Sequence, residues 1–126
     1  MAHRAPGPDG APLHDLTGHH VYPADVYTTL RFYRTGDATM DRQAEAVVLR
    51  HRGRPASLVR VFRAVPRRVR TIHRGDWVTV VQQYAEQHAA GGEPMVILAA
   101  WVPASSLHTN GDSLLEWGYN GPRIRV

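Results

Sequence analysis

The sequence predicts an α+β fold, and three features of its patterning carry that reading. Before residue 52 the apolar residues recur at helical spacing, and from residue 58 onward they alternate or run together as strands do. Only one further helical segment, residues 82–90, then interrupts the strands. Helices gathered ahead of strands argue for segregated α+β packing rather than a doubly wound βαβ sheet. At 126 residues and 14.1 kDa, the chain suits one domain able to bury a core.

Residues 1–14 hold three prolines and two glycines with no apolar periodicity, and read as a flexible arm. The arm is expected to extend to residue 20, leaving 21–126 as the domain. Residues 22–34 predict a first helix, with Pro23 in its first turn, Asp25 at the positive end of the dipole and Gly36 as a stop. Its stripe is Val26, Leu30 and Tyr33, flanked by Tyr22 and Tyr27. A second helix is predicted over residues 40–51, capped by Asp37 or Thr39, with Met40, Ala44, Val47 and Val48 on one side. Arg42 and Glu45 are spaced to pair on its outer face.

Residues 58–65, LVRVFRAV, predict the first strand of the second half. Alternation puts Val59, Val61, Arg63 and Val65 on one face. A guanidinium in register with three valines needs an anionic or hydrogen-bonding partner, or an exposed strand end. Gly75-Asp76 turns the chain into a second strand, residues 77–81, which places Trp77, Thr79 and Val81 together. The helix 82–90 follows, ended by Gly91-Gly92. Residues 95–102 form an uninterrupted apolar run, read as a buried strand. Asn110-Gly111 signals a turn, residues 114–119 are extended, and residues 123–126 are a possible last short strand.

Composition excludes several chemistries. The absence of cysteine removes disulfides, thiolate metal sites and a cysteine nucleophile, and fits a reducing compartment. The eight histidines lack metal-ligand spacing, so no metal is expected. There is no GxGxxG, P-loop, HExxH or GxSxG. No secretory signal is visible and the longest apolar run, 95–102, is too short to span a bilayer, so a cytoplasmic protein without membrane attachment is expected. The formal charge is +4 and every one of the fifteen basic residues is an arginine. That balance suits a polyanionic partner or a pyrophosphate-bearing ligand without choosing between them.

Three ordered blocks then carry a resemblance. Val61-Phe62-Arg63-Ala64-Val65-Pro66 is the first. Gly75-Asp76-Trp77-Val78-Thr79, followed by Tyr84-Ala85 and His88, is the second. Asn110-Gly111-Asp112 and Glu116-Trp117-Gly118-Tyr119 form the third. Together they make residues 22–120 resemble a mono-ADP-ribosyltransferase domain of the small phage and prophage type. The resemblance implies two small packed β-sheets forming an NAD cleft, with helices on the N-terminal side.

It also implies roles. Arg63 matches the first-strand arginine that binds the dinucleotide, a task suited to a planar, permanently charged fork. The second-strand Ser-Thr-Ser motif is replaced here by Trp77-Val78-Thr79, so only Thr79 keeps a hydroxyl to support the site. Tyr84 is expected near the nicotinamide ring, completing a cofactor-binding set of Arg63, Trp77, Thr79 and Tyr84. Glu116 matches the catalytic glutamate that stabilises positive charge on the ribose as nicotinamide leaves.

The activity implied is transfer of ADP-ribose from NAD, as co-substrate, to a protein or nucleic-acid acceptor, in a phage-derived modifier or toxin. Leu114 stands where arginine-modifying relatives carry an acidic or amide residue, which leaves Asp112 as the nearest alternative. An NAD glycohydrolase of the same fold is a second reading, and a non-catalytic basic nucleic-acid-binding module a third. The acceptor and the oligomeric state are not legible.

Overall fold

A computed structural model describes residues 5–91 and 93–126. The chain is α+β: a six-stranded antiparallel sheet, a separate two-stranded ribbon and two α-helices. Among the described residues no helix is long and apolar enough to cross a membrane.

Residues 1–4 of the expected arm lie outside the described residues, and the part from residue 11 to 16 is packed rather than flexible. Strand β1 (Ala11–Pro12) pairs antiparallel with β6 (Leu107–Thr109), and Leu13 N–H donates to Leu107 O at 2.9 Å. Ala11, Leu13 and Leu16 are fully buried. Prolines and glycines conceal these apolar side chains from periodicity, but two buried leucines add roughly 3–6 kcal/mol of burial. A Cβ added at Gly118 would stand 2.1 Å from Pro6 O, so the segment packs where only glycine leaves room.

Residues 22–34 do not make an α-helix. They form two short 3-10 turns, Val26–Thr28 and Leu30–Tyr33, broken at Thr29 with φ −129°. The Thr28 and Thr29 hydroxyls donate to Asp25 O and Val26 O, bonds that compete with helical ones, and both threonines are β-branched. The apolar stripe still works, since Tyr22, Val26 and Leu30 enter the core.

Helix α1 (Ala38–Arg50) is capped by Asp37, whose carboxylate accepts from Met40 N–H at 3.0 Å. Met40, Ala44 and Val48 are buried. Glu45 does not pair with Arg42; it receives both Nε and Nη2 of Arg34, at 2.7 and 3.0 Å. A fork reaching from outside the helix offers two parallel bonds that an i,i+3 neighbour could not.

Strand β2 (Leu58–Pro66) buries Val59, Val61 and Val65, and pairs along its whole length with β5 (Met95–Pro103). Strand β5 is the sheet edge and is buried on one face alone: Leu98, Ala100 and Val102 are buried, whereas Trp101 on the other face is 59% exposed. Strand β3 (Thr71–Ile72) pairs with β8 (Ile124–Arg125), which makes the tail a strand as expected. Strand β4 (Trp77–Thr79) is shorter than predicted because Val81 N–H turns back to the Thr79 hydroxyl, opening helix α2 (Gln82–Ala89). Strand β7 (Glu116–Tyr119) lies between β4 and β6.

The order β1-β6-β7-β4-β2-β5 contains one weak seam. Strands β2 and β4 are matched at a single pair, Phe62 with Thr79, whereas β2 and β5 are matched at nine. Beyond that pair β2 and β4 part, and α2 packs against β2 beside the opening.

Candidate active site

The parting of β2 from β4 creates a cleft of about 90 Å³, open to solvent. Phe62 and Arg63 enter it from β2, Trp77 and Thr79 from β4, Tyr84 and His88 from α2, and Glu116 from the start of β7. All five residues expected from sequence to form a site (Arg63, Trp77, Thr79, Tyr84 and Glu116) therefore line one opening.

Arg63 is held by the protein itself. Its Nη1 donates to Trp77 O at 2.6 Å, bridging the seam, and its Nε lies 3.6 Å from Asp76 Oδ2. The anionic partner that three neighbouring valines made necessary is thus Asp76, which is fixed in turn by the His73 N–H at 2.8 Å. With its side chain 30% exposed, Arg63 satisfies neither extreme of a buried or a fully solvated cation. Among the described residues Nη2 has no partner, which leaves one arm of the fork for an anion in the cleft.

Thr79 does less than its position promised. It pairs across the strands with Glu116, but its hydroxyl is buried and accepts from Val81 N–H at 3.1 Å. That bond fixes the turn into α2, so Thr79 aims the helix rather than the carboxylate.

Tyr84 takes the role expected of Thr79. Its hydroxyl donates to Glu116 Oε1, in addition to any contact of the ring with a ligand. Burial, followed by the Glu116 carboxylate, pushes the Tyr84 phenol well above its ordinary range, so it remains a donor. Glu116 Oε2 has no bond among the described residues.

His88 and Asp76 were not assigned roles by sequence reasoning. The His88 ring lies 4.6 Å from that of Tyr84, centroid to centroid, and its Nδ1 donates to Tyr84 O at 3.0 Å. The signal was present as an i,i+4 pair on one helix face. Asp76 lay three residues before the strand threonine, and nothing local marked it as the partner of Arg63.

A second recess adjoins the first and shares Trp77 and Glu116 with it, adding Asp112 and Ser113. Asp112 thus shares an opening with Glu116, while Leu114 is buried. The opening around Arg63 has cationic and aromatic walls, and the one around Asp112 is acidic. Glu116 stands where they meet. Among the described residues, no group of three histidine, aspartate or glutamate side chains could hold a metal ion.

Comparison of the chain with protein-family models, with curated proteins and with solved structures gives no match.

Proposed function

We propose that the protein is an NAD-dependent mono-ADP-ribosyltransferase, cleaving the nicotinamide–ribose bond and passing ADP-ribose to a macromolecular acceptor. One observation carries the reading: Arg63 and Glu116, 53 residues apart in sequence, line the same cleft from different strands. The ADP-ribosyltransferase-like fold belongs to this proposal. The weak seam between β2 and β4 supports it, because it divides the sheet into two portions with a cleft between them.

The residues suit the chemistry. Arg63 offers its free guanidinium arm to a pyrophosphate or ribose oxygen, while Trp77 O and Asp76 keep the fork from swinging. Trp77 and Tyr84 supply flat walls for a nicotinamide ring. As that ring departs, positive charge grows on the ribose. Glu116, oriented through Oε1 by Tyr84, presents Oε2 towards a ribose hydroxyl, and a carboxylate so fixed lowers the barrier by about 3–4 kcal/mol. The acidic recess at Asp112 and Ser113 gives an acceptor a separate approach to the carbon that nicotinamide leaves.

Incubation with NAD, and with cell lysate as a source of acceptors, should release nicotinamide, and Glu116→Gln should abolish most of that release without changing the thermal midpoint. Radiolabelled NAD should mark a macromolecule. Nicotinamide release with no labelled acceptor would identify a glycohydrolase instead. Salt-sensitive nucleic-acid binding with neither NAD binding nor nicotinamide release would identify the basic binding module.

A further inference from the structure

Strand β5 pairs with β2 on one side and forms the edge of the sheet on the other. It is nine residues long, and residues 95–102 contain no charge and no proline. Among the described residues, hydrogen bonding outside the β2 ladder reaches its backbone only at its end, where the Ser106 hydroxyl donates to Pro103 O at 2.7 Å. Long uncharged edges are templates for strand pairing, and monomeric proteins commonly blunt them with charge, proline or a covering segment. Trp101 projects from this strand 59% exposed, with the Arg60 guanidinium 5.2 Å over its ring.

We propose that β5 is a homodimer interface, pairing antiparallel with β5 of a second copy about a two-fold axis at Ala99. The side-chain pattern selects both occupant and register. In antiparallel self-pairing, residues equally far from the axis lie opposite each other and share a face. Ala99 is the midpoint of Met95–Pro103, so this register pairs the whole strand. It sets Trp101 of each copy against Ile97 of the other, an aromatic beside a β-branched residue, which is a favourable cross-strand pair. On the other face it sets Leu98 against Ala100 and Val96 against Val102. The small alanine falls at the axis, where two identical side chains must meet. An axis at Trp101 would oppose two indoles, and one at Ile97 would oppose Trp101 to Glu93.

Charge points the same way. Each copy carries a net +4, which disfavours self-association through its arginine-rich surfaces, and the β5 edge is free of charge. Nine paired residues span about 30 Å at ~3.4 Å each. With two indoles the contact buries on the order of 1,000 Å², near the lower range of specific interfaces, so dissociation in the micromolar range is expected.

The absence of native cysteine makes single thiols clean reporters. Ala99→Cys places two thiols opposite each other within disulfide reach, and mild oxidation should give a covalent dimer. Trp101→Cys leaves its two thiols about 13 Å apart, and should cross-link no more than Leu58→Cys on the neighbouring strand. In sedimentation across the micromolar range the wild type should pass from monomer to dimer. Trp101→Glu should remain monomeric with an unchanged circular dichroism spectrum. A wild type that stays monomeric throughout overturns the proposal, as does a dimer that Trp101→Glu leaves intact. Cross-linking of Trp101→Cys as readily as Ala99→Cys overturns the register and the interface with it.

Discussion

The Tyr84 hydroxyl donates to Glu116 Oε1, tying the helix after β4 to the first residue of β7 across 32 positions of sequence. The bond holds one carboxylate oxygen of a residue that lines the cleft. His88 braces the tyrosine through its own ring and the Tyr84 carbonyl. In the proposed reaction the Tyr84 hydroxyl, unlike its ring, acts only through Glu116, and its loss should leave substrate binding largely alone. Tyr84→Phe keeps the ring and removes the donor. We expect its nicotinamide release to fall about 10- to 100-fold in kcat, the scale of one hydrogen bond to a charged group, with KM changed little. Steady-state kinetics checks this split; a change confined to KM would make Tyr84 a wall of the binding site and nothing more.

Arg63 should show the opposite behaviour. Lysine keeps the charge but is a single point donor, so it cannot hold Trp77 O and Asp76 while offering a further N–H to a ligand. For Arg63→Lys the expected result is NAD affinity weakened about tenfold or more, with most of the loss in KM. Calorimetric titration of NAD into both proteins measures it directly. Equal affinity would remove Arg63 from the proposed dinucleotide site.

Why some of this was legible and some not follows from the range over which each signal acts. Alternation is local, so β2, β4 and the apolar run of β5 could be read from their own residues. The capping aspartate of α1 could be read in the same way. Leu13 and Leu16 could not, because isolated leucines among prolines and glycines have no period; what orders them is pairing with β6, almost a hundred residues away. The residues of the site were recognisable as three blocks, but their contacts were not. Thr79 was expected to support the site and Tyr84 to face a nicotinamide ring, and only the direction of the hydroxyls showed that Thr79 serves the turn and Tyr84 the carboxylate. Arg63 called for an anion, and the one it found lies 13 positions away in a turn.

Asp41 and Arg34 offer a contrast in stability. Asp41 is 4% exposed and accepts from Thr35 N–H, Gly36 N–H and the Thr35 hydroxyl, at 3.0, 3.1 and 2.9 Å, docking the approach to α1 onto its first turns. Asp41→Ala strands three donors, and should cost about 2–4 kcal/mol in chemical denaturation. Arg34→Ala breaks the fork to Glu45, but that side chain is 46% exposed and water replaces the partner. Its expected cost is far smaller than that of Asp41→Ala. Comparable losses from the two variants would mean that the Asp41 cluster is solvated in solution.

Acid should loosen the amino-terminal segment through His108. This histidine is 8% exposed on β6, and its Nδ1 accepts from the Asn120 amide at 3.1 Å while the same amide donates to Pro6 O at 3.0 Å. The acceptor role requires a neutral ring. Burial lowers the His108 pKa from its ordinary 6.5, and the neighbouring His19 and His14 lower it further, against a smaller opposite effect of Asp9. The unfolded chain therefore takes up this proton first as pH falls. The stability contributed by neutral His108 is complete above pH 6.5 and is lost as pH drops below it towards the lowered folded value. His51, also lowered by burial and by Arg50 and Arg54, adds to the same trend. Thermal melting at a series of pH values should show the midpoint falling below about pH 6.5, and His108→Gln, which can still accept from Asn120 but cannot be protonated, should flatten that fall. An equally steep fall in the variant would move the acid sensitivity to His51 or to the carboxylates.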